Sequence, residues 1–380
     1  IYRHVWLVKS APVCVDLWGV YIRPKKVSET DWRTDISVTV KNTTSAAVNA
    51  VVKTELYDEN GTKAGECSTE CTLEARRDTT VNLGTSVKNP ILWQVGDGHL
   101  YTAVTTVIMD GEEVDRVSDR YGYREVVCDP NHGLFVNGRH EKICGVCGHY
   151  DCGLVGKAVP DSIFRYKVKL LTEMGANGYR TSHYPQSEAL MDALDDAGFI
   201  VLDEIRWFTS SKEGMEQLEM LIKRDRNRPS VFFWCIGNEE MLFAEERGRR
   251  ILESLLARTR QLDATRPVTA ACDRPDNSTV YDNLDVVGIN YGLDSYDAVH
   301  KKFPDRAVVS TECCATSTTR GWYYDDFPAM GLTNCYDRDW SDWFRGRERT
   351  WKFIDEREWV MGSYQWIGFD HRGETVWPRL

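Results

Sequence analysis

The chain has 380 residues, of which 42% are apolar and 28% are charged, and its formal net charge is −11. No apolar run approaches the roughly 18 residues of a membrane helix, and the scattered Lys and Arg residues argue against a nucleic-acid surface. The length exceeds one ordinary core and predicts two domains, one of which suits a large barrel.

Twelve cysteines are spread along the chain, some of them inside apolar runs. This distribution predicts reduced core thiols of a cytoplasmic protein rather than a disulfide framework. Cys144 and Cys147 form a Cys-x-x-Cys pair, but no second pair at zinc-site spacing follows, so we expect no metal there. Cys313 and Cys314 are neighbours in a predicted strand, and side-chain alternation predicts that they do not chelate together.

The first third of the chain alternates between apolar and polar residues. The segment DISVTVKN at 35–42 places three β-branched residues on one face, and Asn-Gly at 60–61 and Asp-Gly at 110–111 separate pairs of strands. Short alternating strands joined by such turns predict an antiparallel sandwich. We therefore predict an immunoglobulin-like β-sandwich over residues 11–122, a segment of about the size typical of that fold.

After Arg124 the pattern changes to short apolar strands that alternate with helical segments. Ser187 fits a helix N-cap, and Gly175 and Gly198 fit helix ends. Parallel strands with intervening helices predict a (β/α)₈ TIM barrel over residues 123–380, without its eighth helix. The eight predicted strands are Lys142–Tyr150, Ala176–Tyr184, Phe199–Ile205, Ser230–Glu239, Val268–Asp273, Leu284–Tyr291, Ala307–Cys313 and Val360–Asp370.

Polar side chains stand at the carboxyl ends of most of these strands. Catalytic groups of a TIM barrel lie at that end. A strand end that meets water becomes polar without any function, and this explains one or two of the cases but not the whole set. The set is His149, Tyr150, Asp151, Arg180, His183, Tyr184, Asp203, Glu204, Asn238, Glu239, Glu240, Asn290, Tyr291, Glu312 and Trp366.

These residue types suit glycoside hydrolysis, which needs one carboxylic acid and one carboxylate across the scissile bond. Glu239 on the fourth strand and Glu312 on the seventh are predicted to face each other across the mouth. A neighbouring carboxylate raises the pKa of the acid, and Arg180 is a plausible partner of the ionised nucleophile. Tyr291 is placed to hydrogen-bond the nucleophile, and Trp366 offers an apolar face for a sugar ring.

Several motifs in order resemble those of family 2 glycoside hydrolases, and among them bacterial β-galactosidases. The resemblance covers nearly the whole chain and implies that residues 1–10 are the end of a sugar-binding jelly-roll domain, and that the barrel is cut short at its C-terminus. The motifs are GVCGHYDCGLVG, GANGYRTSHYP, DALDDAGFIVLDE, WCIGNEE, VVGINYG, VVSTECCATSTTRG and WIGFDHRGE.

The resemblance implies a retaining mechanism with Glu239 as acid/base and Glu312 as nucleophile. Glu240 follows Glu239 and faces the other way in a strand, so we expect it to be structural. From their places at the strand ends we also predict a set of substrate-binding residues: His149, Asp151, Arg180, His183, Asp203, Asn238, Asn290, Tyr291 and Trp366.

The match to the family loosens at three places. The segment DEIRWFTSS has no Glu-x-His, so we expect no magnesium and no other metal or cofactor. Tyr150 replaces the middle residue of a His-His-Asp run, and we expect it to alter contacts near the glycone. No Asn-x-Lys clamp for a carboxylate appears near the barrel rim, and this favours a neutral sugar.

The expected partner is thus a β-linked carbohydrate, with no nucleic acid and no membrane, and the sequence leaves a homo-oligomer open. A β-glucuronidase or β-mannosidase is the main alternative, and a non-catalytic carbohydrate-binding fragment is a further one. An immunoglobulin-like adhesion protein would account for the first third only.

Overall fold

A computed structural model describes residues 3–153, 155–275, 279–316, 318–324, 334–338 and 344–371. Seven strands form the first part of the chain: β1 Val13–Lys26, β2 Asp31–Asn42, β3 Val48–Tyr57, β4 Lys63–Leu73, β5 Arg77–Lys88, β6 Tyr101–Met109 and β7 Glu112–Tyr121. A small sheet follows, made of β8 Val126–Asp129, β9 Gly133–Val136 and β10 Arg139–Glu141.

The remaining strands are β11 Ile143–Cys147, β12 Gly178–Arg180, β13 Ile200–Glu204, β14 Val231–Asn238, β15 Val268–Cys272, β16 Val286–Asn290, β17 Ala307–Cys313 and β18 Val360–Gln365. The described helices are α1 Asp161–Met174, α2 Glu188–Asp196, α3 Lys212–Asp225, α4 Glu246–Leu262, α5 Tyr296–Lys302 and α6 Arg347–Asp355. None of the helices in these described ranges is long and apolar enough to cross a membrane.

Strands β1 to β7 form two antiparallel sheets, in the orders β1-β2-β5 and β4-β3-β6-β7. Alternate residues of β2 are buried, and Ile36 and Val38 belong to the core between the sheets. Gly61 and Gly111 adopt positive φ values of 76° and 83° in the turns that join the paired strands, the conformation that such turns require. The predicted sandwich is confirmed.

Strands β11 to β18 form a closed parallel barrel in chain order, with β11 also paired to β18. Ser187 accepts a hydrogen bond from the Leu190 amide at the start of α2, and Gly175 ends α1 at a φ of 93°, so both predicted helix boundaries are correct. The predicted TIM barrel is confirmed. The predicted missing eighth helix and the end of the WIGFDHRGE motif concern residues 372–380, which lie outside the described residues.

The sandwich packs against the amino-terminal end of the barrel. Tyr21 donates a hydrogen bond to Asp263 at 2.7 Å, and Asn227 accepts one from the Ile22 amide at 2.9 Å. Asn227 and Asp263 precede β14 and β15, so these contacts lie at the end of the barrel opposite the carboxyl ends of its strands. These contacts with the sandwich therefore do not shape the barrel mouth.

Candidate active site

A cavity of about 780 Å³ opens at the carboxyl ends of the barrel strands. Its wall includes Glu239 after β14, Tyr291 after β16, Glu312 on β17 and Trp366 after β18. The strands of the closed barrel bring these side chains to one end, which is where this fold places its reactive groups. The cavity is large enough for a small ligand such as a sugar.

Behind the cavity lies a buried polar network, which we call the rim network: Arg180, Glu204, Asn238, Glu239, Asn290 and Glu312. Arg180 at its centre is fully buried. Its guanidinium donates to Glu312 at 2.6 Å, to Glu204 at 2.7 Å and to the Asn238 side-chain carbonyl at 2.7 Å. Burial opposes the charge, but the carboxylates of Glu204 and Glu312 outweigh burial and keep the pKa of Arg180 well above its ordinary value.

Asn290 connects the two glutamates that the sequence selected. Its amide nitrogen donates to Glu239 at 2.8 Å and to Asn238 at 3.0 Å, while its carbonyl accepts from the Thr311 hydroxyl at 2.6 Å. The Thr311 carbonyl in turn accepts from Arg180 at 3.0 Å. The carboxylates of Glu239 and Glu312 are therefore tied to one fixed scaffold.

The two glutamates have different surroundings. Glu239 is exposed to the open cavity and has a positive φ of 51°, yet partial burial of its carboxyl, with the nearby charge of Glu312, raises its pKa. Glu312 is 4% exposed and accepts a charged hydrogen bond from Arg180. Burial and the hydrogen-bonded Glu312 carboxylate also raise the pKa of Tyr291. One carboxyl group therefore favours its proton and the other is paired with a cation.

Aromatic rings form one wall of the site. Trp366 stacks on His183 with ring centres 5.2 Å apart and an interplanar angle of 13°, and it meets His149 edge-on at 5.2 Å. His183 also contacts Glu204 through its Nδ1 atom at 2.9 Å. His371, which the sequence analysis did not select, lies against His149 at 4.2 Å between ring centres. The wall offers an apolar ring face beside hydrogen-bonding imidazoles.

Family profiles agree with this architecture. The profile described as "Glycosyl hydrolases family 2" matches residues 15–124, and that described as "Glycosyl hydrolases family 2, TIM barrel domain" matches residues 129–214 and 208–320. Together they span both domains. The chain belongs to glycosyl hydrolase family 2.

Relatives within family 2 carry two kinds of name. A β-galactosidase of Bacteroides ovatus, BoGH2A, is 32% identical over 100% of this chain and 52% of its own length. A β-glucuronidase of Bacteroides fragilis is 26% identical over 100% of this chain and 59% of its own length. The chain thus spans between half and two thirds of these two relatives.

Solved structures of the family also superpose closely. A β-glycosidase from Bacteroides vulgatus has a TM-score of 0.84 at 29% identity, covering 99% of this chain and 52% of that one. A family 2 member from Bacteroides cellulosilyticus has a TM-score of 0.82 at 28% identity, covering 95% and 47%. Both likenesses include the sandwich and the barrel in one arrangement.

Most of the residues selected from the sequence meet at this mouth. Those that line the cavity are Glu239, Glu312, His183, Tyr291 and Trp366, and those directly behind or beside it are Arg180, Asn238, Asn290 and His149. The side chain of Asp151 is not among the cavity-lining groups, while its backbone carbonyl accepts a hydrogen bond from Lys167 at 2.6 Å. Glu240 lines a separate small cavity with Phe243.

Asp203 does not lie where a substrate contact requires. It is fully buried, accepts a hydrogen bond from Thr181 at 3.0 Å and faces Asp225 on the outer side of the barrel. Its neighbour Glu204 points inward instead, to Arg180 and His183. The sequence placed two adjacent carboxylates at this strand end, and the prediction selected the wrong one for the mouth because successive strand residues face opposite ways.

No group of three or more His, Cys, Asp or Glu residues within the described ranges is arranged to hold a metal ion. The glutamates of the rim network are instead matched by Arg180 and by amide groups. The functional groups that the structure places at this mouth are carboxyl groups, a guanidinium, a phenol and imidazoles.

Proposed function

We propose that the protein is a retaining glycosidase that hydrolyses terminal β-D-galactosides. The observation that carries this proposal is the unequal pair of carboxyl groups at one barrel mouth. Glu312 is paired with the charged Arg180 at 2.6 Å, whereas the pKa of Glu239 is raised by burial and by Glu312. Double displacement needs this division between an ionised nucleophile and a protonated acid.

In the first step the Glu312 carboxylate attacks the anomeric carbon while Glu239 gives its proton to the departing glycosidic oxygen. A glycosyl ester forms on Glu312 and the aglycone leaves as an alcohol. In the second step Glu239, now ionised, takes a proton from water, and that water attacks the anomeric carbon and releases Glu312. Each step inverts the anomeric centre, so the product keeps the β configuration.

The surrounding groups support these two steps. Arg180 and Tyr291 both hydrogen-bond Glu312, which orients the carboxylate for attack. Asn290 holds Glu239 at 2.8 Å. The face of Trp366 suits the apolar side of a pyranose ring, because burial of a large aromatic surface stabilises such contacts.

The choice of galactose rests on similarity to the Bacteroides ovatus β-galactosidase, at 32% identity. A β-glucuronidase is the second candidate, since other relatives bear that name and two arginines, Arg274 and Arg345, line the same cavity. A guanidinium suits a sugar carboxylate. Asp273 and Asp294 lie beside these arginines at 3.5 and 2.8 Å, which reduces the net charge there and favours the neutral sugar.

The test compares nitrophenyl β-galactoside, β-glucuronide and β-mannoside under the same conditions. We expect the galactoside to have the highest kcat/KM, and nuclear magnetic resonance of the first product to show the β anomer. Faster cleavage of the glucuronide would mean that the preferred sugar is glucuronic acid, with the mechanism unchanged. A first product in the α form would contradict the retaining mechanism. A folded protein that cleaves none of the three but binds sugar would be a carbohydrate-binding fragment.

A further inference from the structure

The two glutamates divide the barrel mouth into two arcs. Glu239 follows β14 and Glu312 lies on β17, so β15 and β16 form a short arc between them and the other four strands form a long arc. The cavity reaches both arcs. Its volume of about 780 Å³ lies in the range of pockets that take ligands of drug size, which are larger than one sugar ring. The cavity therefore has room for more than the sugar that is cleaved off.

The walls of the two arcs differ in character. The long arc presents the aromatic wall of Trp366, whereas the short arc presents charged side chains. Asp273 and Arg274 follow β15 and lie 3.5 Å apart. Asp294 follows β16 and accepts a hydrogen bond at 2.8 Å from Arg345, which precedes α6. Two ion pairs therefore line the cavity on the side of the short arc.

The short arc also lies on the side of the leaving group. Glu239 gives its proton to the departing glycosidic oxygen, so the leaving group lies beside Glu239 when the bond breaks. The Glu239 amide donates a hydrogen bond at 2.8 Å to the carbonyl of Ala271 on β15, two residues before Asp273. The acid therefore stands next to the first of the two ion pairs.

We propose that the two ion pairs form a subsite for a second sugar, so that the leaving group of the natural substrate is a neutral carbohydrate. This inference rests on the proposed glycosidase function and deepens it. Carboxylates accept hydrogen bonds from sugar hydroxyls, and guanidinium groups donate to them. Each charge has a partner of opposite sign, so the subsite favours a neutral polyol over an anion.

Apolar side chains accompany the charged ones. Leu293 directly precedes Asp294, and Phe344 directly precedes Arg345; both are buried and line the same cavity. A pyranose offers an apolar face of CH groups and an edge of hydroxyls, which matches this combination. An alkyl leaving group would take water from the ion pairs without replacing its hydrogen bonds, and that costs free energy.

The chain contains a matched pair that does not line the cavity. Arg357 and Asp297 are 2.8 Å apart with side chains 23% and 64% exposed, against 2.8 Å, 21% and 72% for Arg345 and Asp294. Each arginine also donates to the carbonyl of a nearby phenylalanine, at 3.1 and 3.2 Å. Arg357 precedes β18 and so lies at the amino-terminal end of the barrel. A substitution there changes the same contacts away from the mouth.

The experiment measures binding to the Glu312→Gln variant, which keeps the cavity but lacks the nucleophile. Titrations followed by nuclear magnetic resonance give the Kd of lactose and of methyl β-D-galactoside, which differ in the presence of a second sugar ring. We expect lactose to bind about tenfold more tightly, the gain from a charge-assisted hydrogen bond. Adding Arg345→Gln should largely remove this difference, and adding Arg357→Gln should preserve it.

A second variant covers the case in which Arg345→Gln does not fold. The side chain of Arg274 is 71% exposed, so Arg274→Gln should fold and should also reduce the preference for lactose. Equal affinity for the two ligands, binding of neither, or a preference that the folded mouth variants leave unchanged would overturn the subsite. A fall of the same size in Arg357→Gln would do so as well.

Cleavage of nitrophenyl β-galactoside by the parent tests the proposed function separately. A parent that cleaves this glycoside, with equal affinities for the two ligands, would keep the glycosidase and remove the subsite. A parent that cleaves no glycoside but prefers lactose through Arg345 would keep the subsite for a second sugar and remove the hydrolase. The two failures are therefore distinguishable.

Discussion

Two networks of buried charge in the described part of the barrel differ in their access to a cavity. The rim network surrounds Arg180 at the mouth. A second set, which we call the wall network, lies between the barrel and helices α2 and α3, and consists of Asp195, Asp203, Arg224, Asp225 and Arg228. In it Arg228 donates to Asp195 at 2.7 Å and to Asp225 at 2.8 Å.

Both networks obey the same electrostatics. In the wall network, Arg224 and Arg228 outweigh burial and lower the pKa of Asp225, while burial and Asp225 raise that of Asp203. In the rim network, Arg180 and His183 outweigh burial and lower the pKa of Glu204, while burial and Glu312 raise that of Glu239. Shifted pKa values therefore do not mark an active site by themselves. Access to a cavity distinguishes the two networks.

The largest expected effect belongs to the rim. Glu312→Gln should lower kcat by about 10⁴- to 10⁶-fold, the range for losing a nucleophile that acts with its partners. The amide keeps the volume and still accepts a bond from Arg180, so thermal unfolding should change little. Steady-state kinetics on the preferred nitrophenyl glycoside measures this, and a variant within tenfold of the parent would remove Glu312 from the chemistry.

A smaller loss is expected at the acid. Glu239→Gln should lower kcat by about 10²- to 10⁴-fold for alkyl glycosides, and by less for nitrophenyl glycosides, whose leaving groups need little protonation. Because the pKa of Glu239 is raised, the parent should lose kcat/KM as pH rises through that pKa. The variant should lack this fall in kcat/KM at alkaline pH. If the fall persists in the variant, a group other than Glu239 causes it.

A substitution in the wall network should lower the unfolding free energy and leave the rate of catalysis unchanged. Arg228→Met leaves Asp195 without its cation and Asp225 with Arg224 alone, and breaking such a buried pair costs about 3–5 kcal/mol of unfolding free energy. The turnover of the remaining folded enzyme should stay close to that of the parent. Urea unfolding measures the loss, with Arg249→Met on the partly exposed side of α4 as a control that should unfold like the parent. A fall in turnover without loss of stability would contradict the comparison.

The smallest effect is expected at Asp203. Burial and the neighbouring Asp225 raise the pKa of Asp203 and favour its protonated form, which Asp203→Asn resembles in charge and shape. The unfolding free energy should change by less than about 1 kcal/mol, and kcat/KM should not change. Asp225→Asn is the contrasting variant, since it removes the ionised partner of Arg224 and Arg228. A large rise in KM for Asp203→Asn would restore its predicted substrate contact.

Much of the fold could be predicted because both domains have regular patterns. Alternation identified the sandwich, and apolar strands with polar ends identified the barrel and brought Arg180, Glu239 and Glu312 to one mouth. The inward phase of β13 could not be predicted. Ile200 and Leu202 face the barrel interior while Val201 packs against the helices, so both faces are apolar and the sequence carries no signal to separate Asp203 from Glu204.

The directions of the side chains at the mouth could not be predicted from the sequence either. The pairing register shifts between Ser310 and Cys313 on β17, and between Cys235 and Asn238 on β14. Such irregularities change the direction in which side chains point, but no residue type in the sequence predicts where they occur.

Three residues other than glycine at the barrel mouth have positive φ values. They are Glu239 at 51°, Tyr291 at 54° and Cys314 at 60°. This left-handed conformation costs a residue other than glycine about 1 kcal/mol or more. Glycine at any of the three would relieve that cost. Laboratory evolution under heat selection alone would thus favour replacement at these positions, and the more heat-resistant descendants would be the poorer catalysts.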